Sequence, residues 1–191
     1  MKTITKATLA LATVAIFGVF GAHSRADDGE QPVRWKTIVI DVAEDARTGV
    51  VNPVNPTNAL PKRGDTVIAN GKIYPAGTLP AGNGFDIDTP GSIGTWVSRG
   101  TFNFDFSQAF TGGDPIISST EQYIFSTNGV LTGENSLVSE GQDSFLRTIQ
   151  RAVIGGTGIY RGTTGEVKVE VLGSNNTGFV NRRLTFQIRL P

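Results

Sequence analysis

Apolar and polar residues alternate along much of this chain, and no other feature constrains its fold as strongly. In residues 166–171 three valines alternate with charged residues, and in residues 183–189 Leu184, Phe186 and Ile188 alternate with polar ones. A period of two places the apolar side chains of a strand on one face. No window of helical length shows a sustained period of 3.6 residues. The sequence therefore predicts an all-β domain.

Eight alternating runs are separated by glycine-rich turns. Asn128-Gly129 between two of these runs is a strong hairpin signal, and such closely spaced consecutive strands must be antiparallel. We predict an eight-stranded antiparallel up-and-down β-barrel, lipocalin-like, with a β-sandwich as the alternative. The predicted strands are 35–43, 66–74, 95–106, 117–126, 129–138, 145–154, 164–172 and 180–190.

The N-terminal segment predicts export. Residues 1–26 contain Lys2 and Lys6, then an apolar run, then small residues ending at Ala26, which is typical of a signal peptide. Cleavage would leave residues 27–191 as a single domain, secreted or periplasmic. The apolar run is shorter than the roughly 20 residues that cross a bilayer, which favours a cleaved signal over a retained anchor. No apolar run after Val42 is long enough to span a membrane, so no membrane partner is expected for the mature form.

Charge and residue usage exclude several functions. Removing the signal peptide takes three of the 17 basic residues and none of the 17 acidic ones, which leaves a net charge of −3 and no basic run, so no nucleic acid partner is expected. The chain has no cysteine, and its single histidine, His23, lies in the signal peptide. A mature chain without either residue cannot form a Ser-His-Asp triad or a usual zinc site, so we predict no metal. Catalysis would depend on carboxylates, arginines, tyrosines or ordered water.

The glycine-rich segment "RAVIGGTGIYRGTTGEVKVEV" at 151–171 is a sharp turn between strands in our interpretation. Its spacing is not the G-x-G-x-x-G of dinucleotide sites, and the following residues alternate with period two instead of forming a helix. We therefore assign Gly155, Gly156 and Gly158 to positions that need positive φ or close backbone approach.

This segment resembles the glycine-rich hairpin of the dirigent and allene oxide cyclase superfamily, and is most similar to bacterial allene-oxide-cyclase-like barrel proteins. "TIVIDV", "GTWVSRGTFNF" and "EQYIFSTNGVLTGEN" resemble other strands of that family in the same order. The resemblance implies a barrel with an apolar pocket, no cofactor, and a homotrimer. It also implies pocket roles for Asp41, which matches a first-strand aspartate, and Arg161, which matches the first arginine after the glycine turn. Thr164 replaces the second arginine, and the cysteine of some plant cyclase pockets has no counterpart.

Strand parity adds further candidates. Glu121 shares a face with Tyr123 and Phe125, and we predict that Trp96, Phe104, Tyr123 and Phe125 line a pocket for a small hydrophobic molecule. Asp41 or Glu121 would be the catalytic polar group. Alternatively, this face lies at a subunit interface or in solvent, since parity does not show which face is inside.

Two functions remain open from the sequence. One is a cofactor-free cyclase or isomerase, or a dirigent-type guide, acting on a hydrophobic ligand. The other is a non-catalytic ligand-binding or structural surface protein. The same cavity would serve both. Two smaller features also stay open. Arg147 and Arg151 either bind the carboxylate of a ligand or lie on the solvated exterior of the barrel, and Asn175 belongs to a glycosylation sequon that is used only in a eukaryotic secretory pathway.

Overall fold

The computed structural model describes residues 34–191 except 58, 59, 113, 115, 128 and 129. The predicted signal peptide, its cleavage site and the Asn128-Gly129 turn lie outside the described residues. Within the described part of the chain, no helix is both long and apolar enough to cross a membrane.

Eight antiparallel strands form a closed barrel in which each strand pairs with the next and β8 pairs with β1. This confirms the predicted eight-stranded barrel, and the β-sandwich alternative is wrong. The strands are β1 (Arg34–Asn52), β2 (Thr66–Pro75), β3 (Gly94–Phe102), β4 (Ile117–Thr127), β5 (Val130–Asp143), β6 (Ile149–Thr157), β7 (Thr164–Ser174) and β8 (Val180–Leu190).

Three strand boundaries differ from the prediction in ways that affect the site. β1 continues past its predicted end at 43 to Asn52, so Glu44 and Val51 belong to it. β3 ends at Phe102, which pairs there with the β1–β2 connection: Gly64 N–H donates to Phe102 O and Phe102 N–H donates to Asp65 O. A short 3₁₀ helix, Phe106–Thr111, follows. β5 runs on to Asp143 instead of ending at 138, which carries that carboxylate into the barrel end.

One half of the barrel interior is filled by side chains. The alternating apolar residues of the strands meet there, and an edge-to-face contact joins the Tyr123 and Phe186 rings at 5.0 Å. Burial of this set supplies the main stabilisation of the barrel. Its members include Ile40, Val42, Ile73, Trp96, Tyr123, Leu137, Val153, Val167, Val169, Leu184, Phe186 and Ile188.

The connection between β2 and β3 packs on the outside of the barrel. Its Leu79 and Ile87 form a small second core with Ala43 of β1 and Tyr74 of β2. Both faces of β1 are therefore buried from Ile40 to Glu44. An outward-facing residue of this stretch, such as Asp41, is buried without reaching the interior.

Candidate functional site

The other half of the barrel is hollow and contains a cavity of about 360 Å³. It lies at the end where β1–β2, β3–β4, β5–β6 and β7–β8 are connected, and residues of all four connections or their flanking strands contribute to it. This size suits a small organic molecule. The lining residues are Glu44, Val51, Pro61, Val67, Ala69, Trp96, Ser98, Phe102, Phe106, Ile117, Asp143, Phe145, Leu146, Gly178, Phe179 and Val180.

Aromatic rings form a continuous part of the cavity wall. The Phe102 and Phe106 centroids are 6.2 Å apart, those of Phe106 and Phe145 are 6.2 Å apart, and those of Phe145 and Phe179 are 6.5 Å apart, all edge to face. Rings in this arrangement hold one another in place. They give the cavity an apolar wall with aromatic π-faces available to a ligand.

Two carboxyl groups form the polar floor of the cavity, and a buried arginine contacts both of them. Glu44 and Asp143 line it, and the Arg182 guanidinium lies between them with 2% of its side chain exposed. Arg182 donates a short hydrogen bond to Asp143 Oδ1. Its Nε lies 2.5 Å from Glu44 Oε1, yet neither of these two atoms has a partner in hydrogen-bond alignment. Asp143 is therefore the carboxylate that is directly paired with the arginine.

Glu44 differs from Asp143 in its protonation. Burial raises the pKa of Glu44 to about 8, against the opposing effect of Arg182 and with smaller contributions from Asp143 and Glu121. The number of charged groups in the interior also favours a protonated Glu44. Among the described residues the interior holds three carboxyl groups, Glu44, Glu121 and Asp143, but only two arginines, Arg151 and Arg182. One proton on Glu44 makes this group neutral, and an uncompensated buried charge is costly.

A second polar network lies deeper in the barrel and reaches the cavity through Trp96. Glu121 Oε2 accepts hydrogen bonds from Trp96 Nε1 at 3.1 Å and from the Tyr123 hydroxyl at 2.5 Å. Arg151 lies 3.5 Å from Glu121 Oε1 and donates from Nε to Ser139 Oγ at 3.1 Å. Burial and the neighbouring carboxylate raise the pKa of Tyr123 well above its usual value, so the phenol stays a donor.

The interior includes four of the predicted pocket residues. Glu121 and Tyr123 face inward, and Phe125 packs against the core beside Tyr160. Trp96 is the fourth and lines the cavity, whereas the other three do not belong to its lining. Whether any of them binds a ligand stays a prediction.

Asp41, Phe104 and Arg161 do not reach the cavity. Asp41 lies on the outer face of β1 and accepts hydrogen bonds from the N–H groups of Gly77 and Leu79 at 2.8 and 3.0 Å. Arg183 Nε also donates to Asp41, at 2.8 Å. The placement of Asp41 in a pocket is thus corrected: it anchors the β2–β3 connection. Phe104 is 43% exposed because β3 ends before it, and Arg161 is exposed in the β6–β7 connection.

The glycine turn is partly as predicted. Gly158 has φ of 58° and begins the 3₁₀ helix Gly158–Tyr160. Gly156 lies within β6, where a Cβ would come 2.4 Å from the Ser136 carbonyl oxygen, so it is a site of close backbone approach. Gly155 also lies in β6 but has open space around it.

Four interior residues were not selected as site residues from the sequence. Glu44, Asp143 and Arg182 lie on strands at positions of inward parity. Glu44 and Asp143 lie beyond the predicted ends of their strands at 43 and 138, whereas Arg182 lies within a strand whose boundaries were predicted correctly. Arg151 of β6 was expected either on the barrel exterior or as a residue that binds a ligand. Its side chain is instead fully buried and contacts Ser119 of β4 and Ser139 of β5. The signal that could have identified it is a charged residue that shares strand parity with two apolar ones, Ile149 and Val153.

The Asn175 sequon is enclosed by the fold. Its Nδ2 donates to the Glu44 carbonyl oxygen at 2.7 Å and to Asn181 Oδ1 at 3.2 Å, and the residue is 4% exposed. Thr177 Oγ1 donates to Asn175 Oδ1 at 2.6 Å. The amide that a glycan would modify therefore supports the strand that carries Glu44.

No family model matches the chain, and no curated protein matches its sequence. Solved structures match its fold. A pterocarpan synthase dirigent protein matches with a TM-score of 0.60 and 15% identity, covering 83% of this chain and 86% of the other. A pyocyanin demethylase matches with a TM-score of 0.51 and 15% identity, covering 79% and 99%. An exo-specific intermolecular Diels-Alderase matches with a TM-score of 0.50 and 15% identity, covering 81% and 98%. The resemblance to dirigent and cyclase-like barrels is thereby confirmed at the level of the fold.

Proposed function

We propose that this protein binds a small hydrophobic molecule in the barrel cavity and promotes its cyclisation or isomerisation by general acid catalysis from Glu44. The observation that carries the proposal is a carboxyl group, with its pKa raised to about 8, at the floor of an otherwise apolar cavity. A carboxyl of this kind holds its proton at neutral pH and can transfer it to a substrate.

The chemistry follows from the neighbours of Glu44. Proton transfer to a substrate oxygen would leave Glu44 as a carboxylate 2.5 Å from Arg182 Nε, where the guanidinium stabilises the new negative charge. Positive charge that develops on the substrate would face the aromatic wall formed by Phe102, Phe106 and Phe145. Return of a proton from a substrate carbon to Glu44 would complete an isomerisation with no net consumption of protons and no cofactor.

The matched structures support this proposal only by analogy. Two of them are a dirigent protein and a Diels-Alderase, and both share the fold of this barrel. Export of residues 27–191 and assembly into a homotrimer belong to the same proposal.

Binding is tested with the fluorescent apolar probe N-phenyl-1-naphthylamine. Ala69 lines the cavity and is 6% exposed, whereas the adjacent Ile68 lies on the outer face and is 40% exposed. We expect saturable probe fluorescence that Ala69→Phe reduces at least tenfold in affinity, because the new ring fills the cavity. Ile68→Phe, the matched control on the same strand, should bind as wild type does. Equal binding by both variants would show that the probe does not occupy the cavity.

Turnover is tested with hydrophobic small-molecule extracts followed by mass spectrometry. We expect the wild-type protein to convert at least one component into an isomer of unchanged mass, and Glu44→Gln to lose this activity. Glu166→Gln, a change at an exposed carboxylate, is the matched control. Ligand capture without conversion dependent on Glu44 would instead identify a non-catalytic binding protein.

A further inference from the structure

We propose that the cavity selects neutral molecules with a hydrogen-bond-accepting oxygen, such as a ketone or epoxide, and excludes carboxylates of the same length. This inference rests on the proposed function, because it concerns the ligand of the same cavity. The support comes from how the charges at the cavity floor are already paired.

Both interior arginines are already paired with carboxyl groups inside the barrel. Arg182 is flanked by the Asp143 and Glu44 carboxyl groups. Arg151 donates from NH1 to Ser119 Oγ at 3.0 Å and to the Gln142 carbonyl oxygen at 2.8 Å, and from NH2 to the Ser119 carbonyl oxygen at 2.8 Å. Within the described part of the chain, the residues that line the cavity include no lysine or arginine.

A carboxylate in this cavity would meet the Asp143 carboxylate and no cation among the described lining residues. The two ionisable groups that line the cavity, Glu44 and Asp143, are both carboxyls, and the remaining lining is almost entirely apolar or aromatic. The faces of aromatic rings are negative and repel an anion. An anion placed there would lose its hydration without gaining a cation, which is strongly unfavourable.

A neutral oxygen meets hydrogen-bond donors at the same place. Glu44 in its protonated form donates one hydrogen bond, and the hydroxyl of Ser98, another lining residue, can donate a second. The apolar body of the ligand then contacts the ring wall. This orientation places the acceptor oxygen beside the proton that the proposed reaction requires.

Three probes of similar size separate the alternatives: 2-undecanone, undecane and decanoate, each measured by displacement of N-phenyl-1-naphthylamine at neutral pH. We expect 2-undecanone to compete at least tenfold better than decanoate and several-fold better than undecane. At about pH 4, where much of the decanoic acid is protonated, the acid should approach the ketone in affinity. Circular dichroism at both pH values verifies that the barrel stays folded.

Two results would overturn the inference. Decanoate that competes as well as the ketone at neutral pH would refute it while leaving the proposed function intact. Failure of all three probes to compete would refute both. The double variant Asp143→Asn/Glu44→Gln gives an independent test, since loss of both carboxyl groups leaves the Arg182 charge uncompensated. It should improve decanoate binding relative to the ketone at least tenfold, and an unchanged ratio in a folded variant would contradict the argument.

Discussion

Glu44→Gln should change how the stability of the barrel depends on pH. The pKa of Glu44 in the folded state is raised to about 8, so the group stays protonated at neutral pH, whereas the unfolded chain releases this proton near the ordinary pKa of 4.5. A raised carboxyl pKa means that the folded state binds the proton more tightly than the unfolded state does. The contribution of Glu44 to stability is therefore fully present below about pH 4.5 and is lost as the pH rises towards 8.

The size of the effect follows from the two pKa values. One pKa unit corresponds to about 1.4 kcal/mol, so the interval from 4.5 to about 8 corresponds to a loss of roughly 5 kcal/mol from Glu44 alone. Glutamine keeps the shape and polarity of the side chain but does not titrate. Glu44→Gln should lack this slope, and above about pH 8 it should be more stable than the wild type by a few kcal/mol.

Urea unfolding between about pH 5 and pH 9 measures the difference. The free energy of unfolding of the wild type minus that of Glu44→Gln removes the titration of all groups that the two proteins share. Glu166→Gln, at an exposed carboxylate, should run parallel to the wild type. Parallel curves for wild type and Glu44→Gln across the whole range would refute the assignment of a buried, protonated Glu44.

Three further outcomes are expected. Asp41→Ala leaves two N–H groups of the β2–β3 connection without their acceptor and should lower the free energy of unfolding by about 2–5 kcal/mol. Amide exchange should also become faster in residues 76–93. The control Asp88→Ala, which removes an exposed ion pair, should lower the free energy of unfolding much less. Gly158→Ala should destabilise the barrel by about 1–2 kcal/mol more than Gly91→Ala, because both glycines have positive φ but only a Cβ at 158 would collide with the backbone. Light scattering of residues 27–191 should give the mass of a homotrimer, and a monomer across micromolar concentrations would contradict this.

The fold could be predicted from sequence because its signals are local. The alternation in β7 and β8 and the short connections determine antiparallel neighbours, and closure follows when eight strands bury one face each. The alternation fails in β1 from Ile40 to Glu44, since the β2–β3 connection covers its outer face. A connection packed on the outside of a barrel produces no local pattern.

Interior polar residues were predicted only where the alternation within a single strand showed which residues share a face. Glu121 and Tyr123 share a face within one uninterrupted strand, and they lie together inside. Glu44 and Arg182 come from strands that are adjacent only through barrel closure, and Asp143 reaches them because β5 extends further than its apolar residues indicate. Such contacts depend on register between distant segments. The family resemblance correctly indicated the barrel, but it placed Asp41 in the pocket, where the structure has Glu44.

The division of the barrel into a filled half and a hollow half separates stability from selectivity. The filled half carries most of the buried apolar surface, whereas the mouth of the cavity is formed largely by connections, including Pro61, Leu146 and Phe179. Substitutions at the mouth alter few contacts of the filled half, so they change which molecules enter at little cost to folding. New ligand preferences can therefore be introduced by changing the connections at one end of the barrel while its strands keep their present sequence.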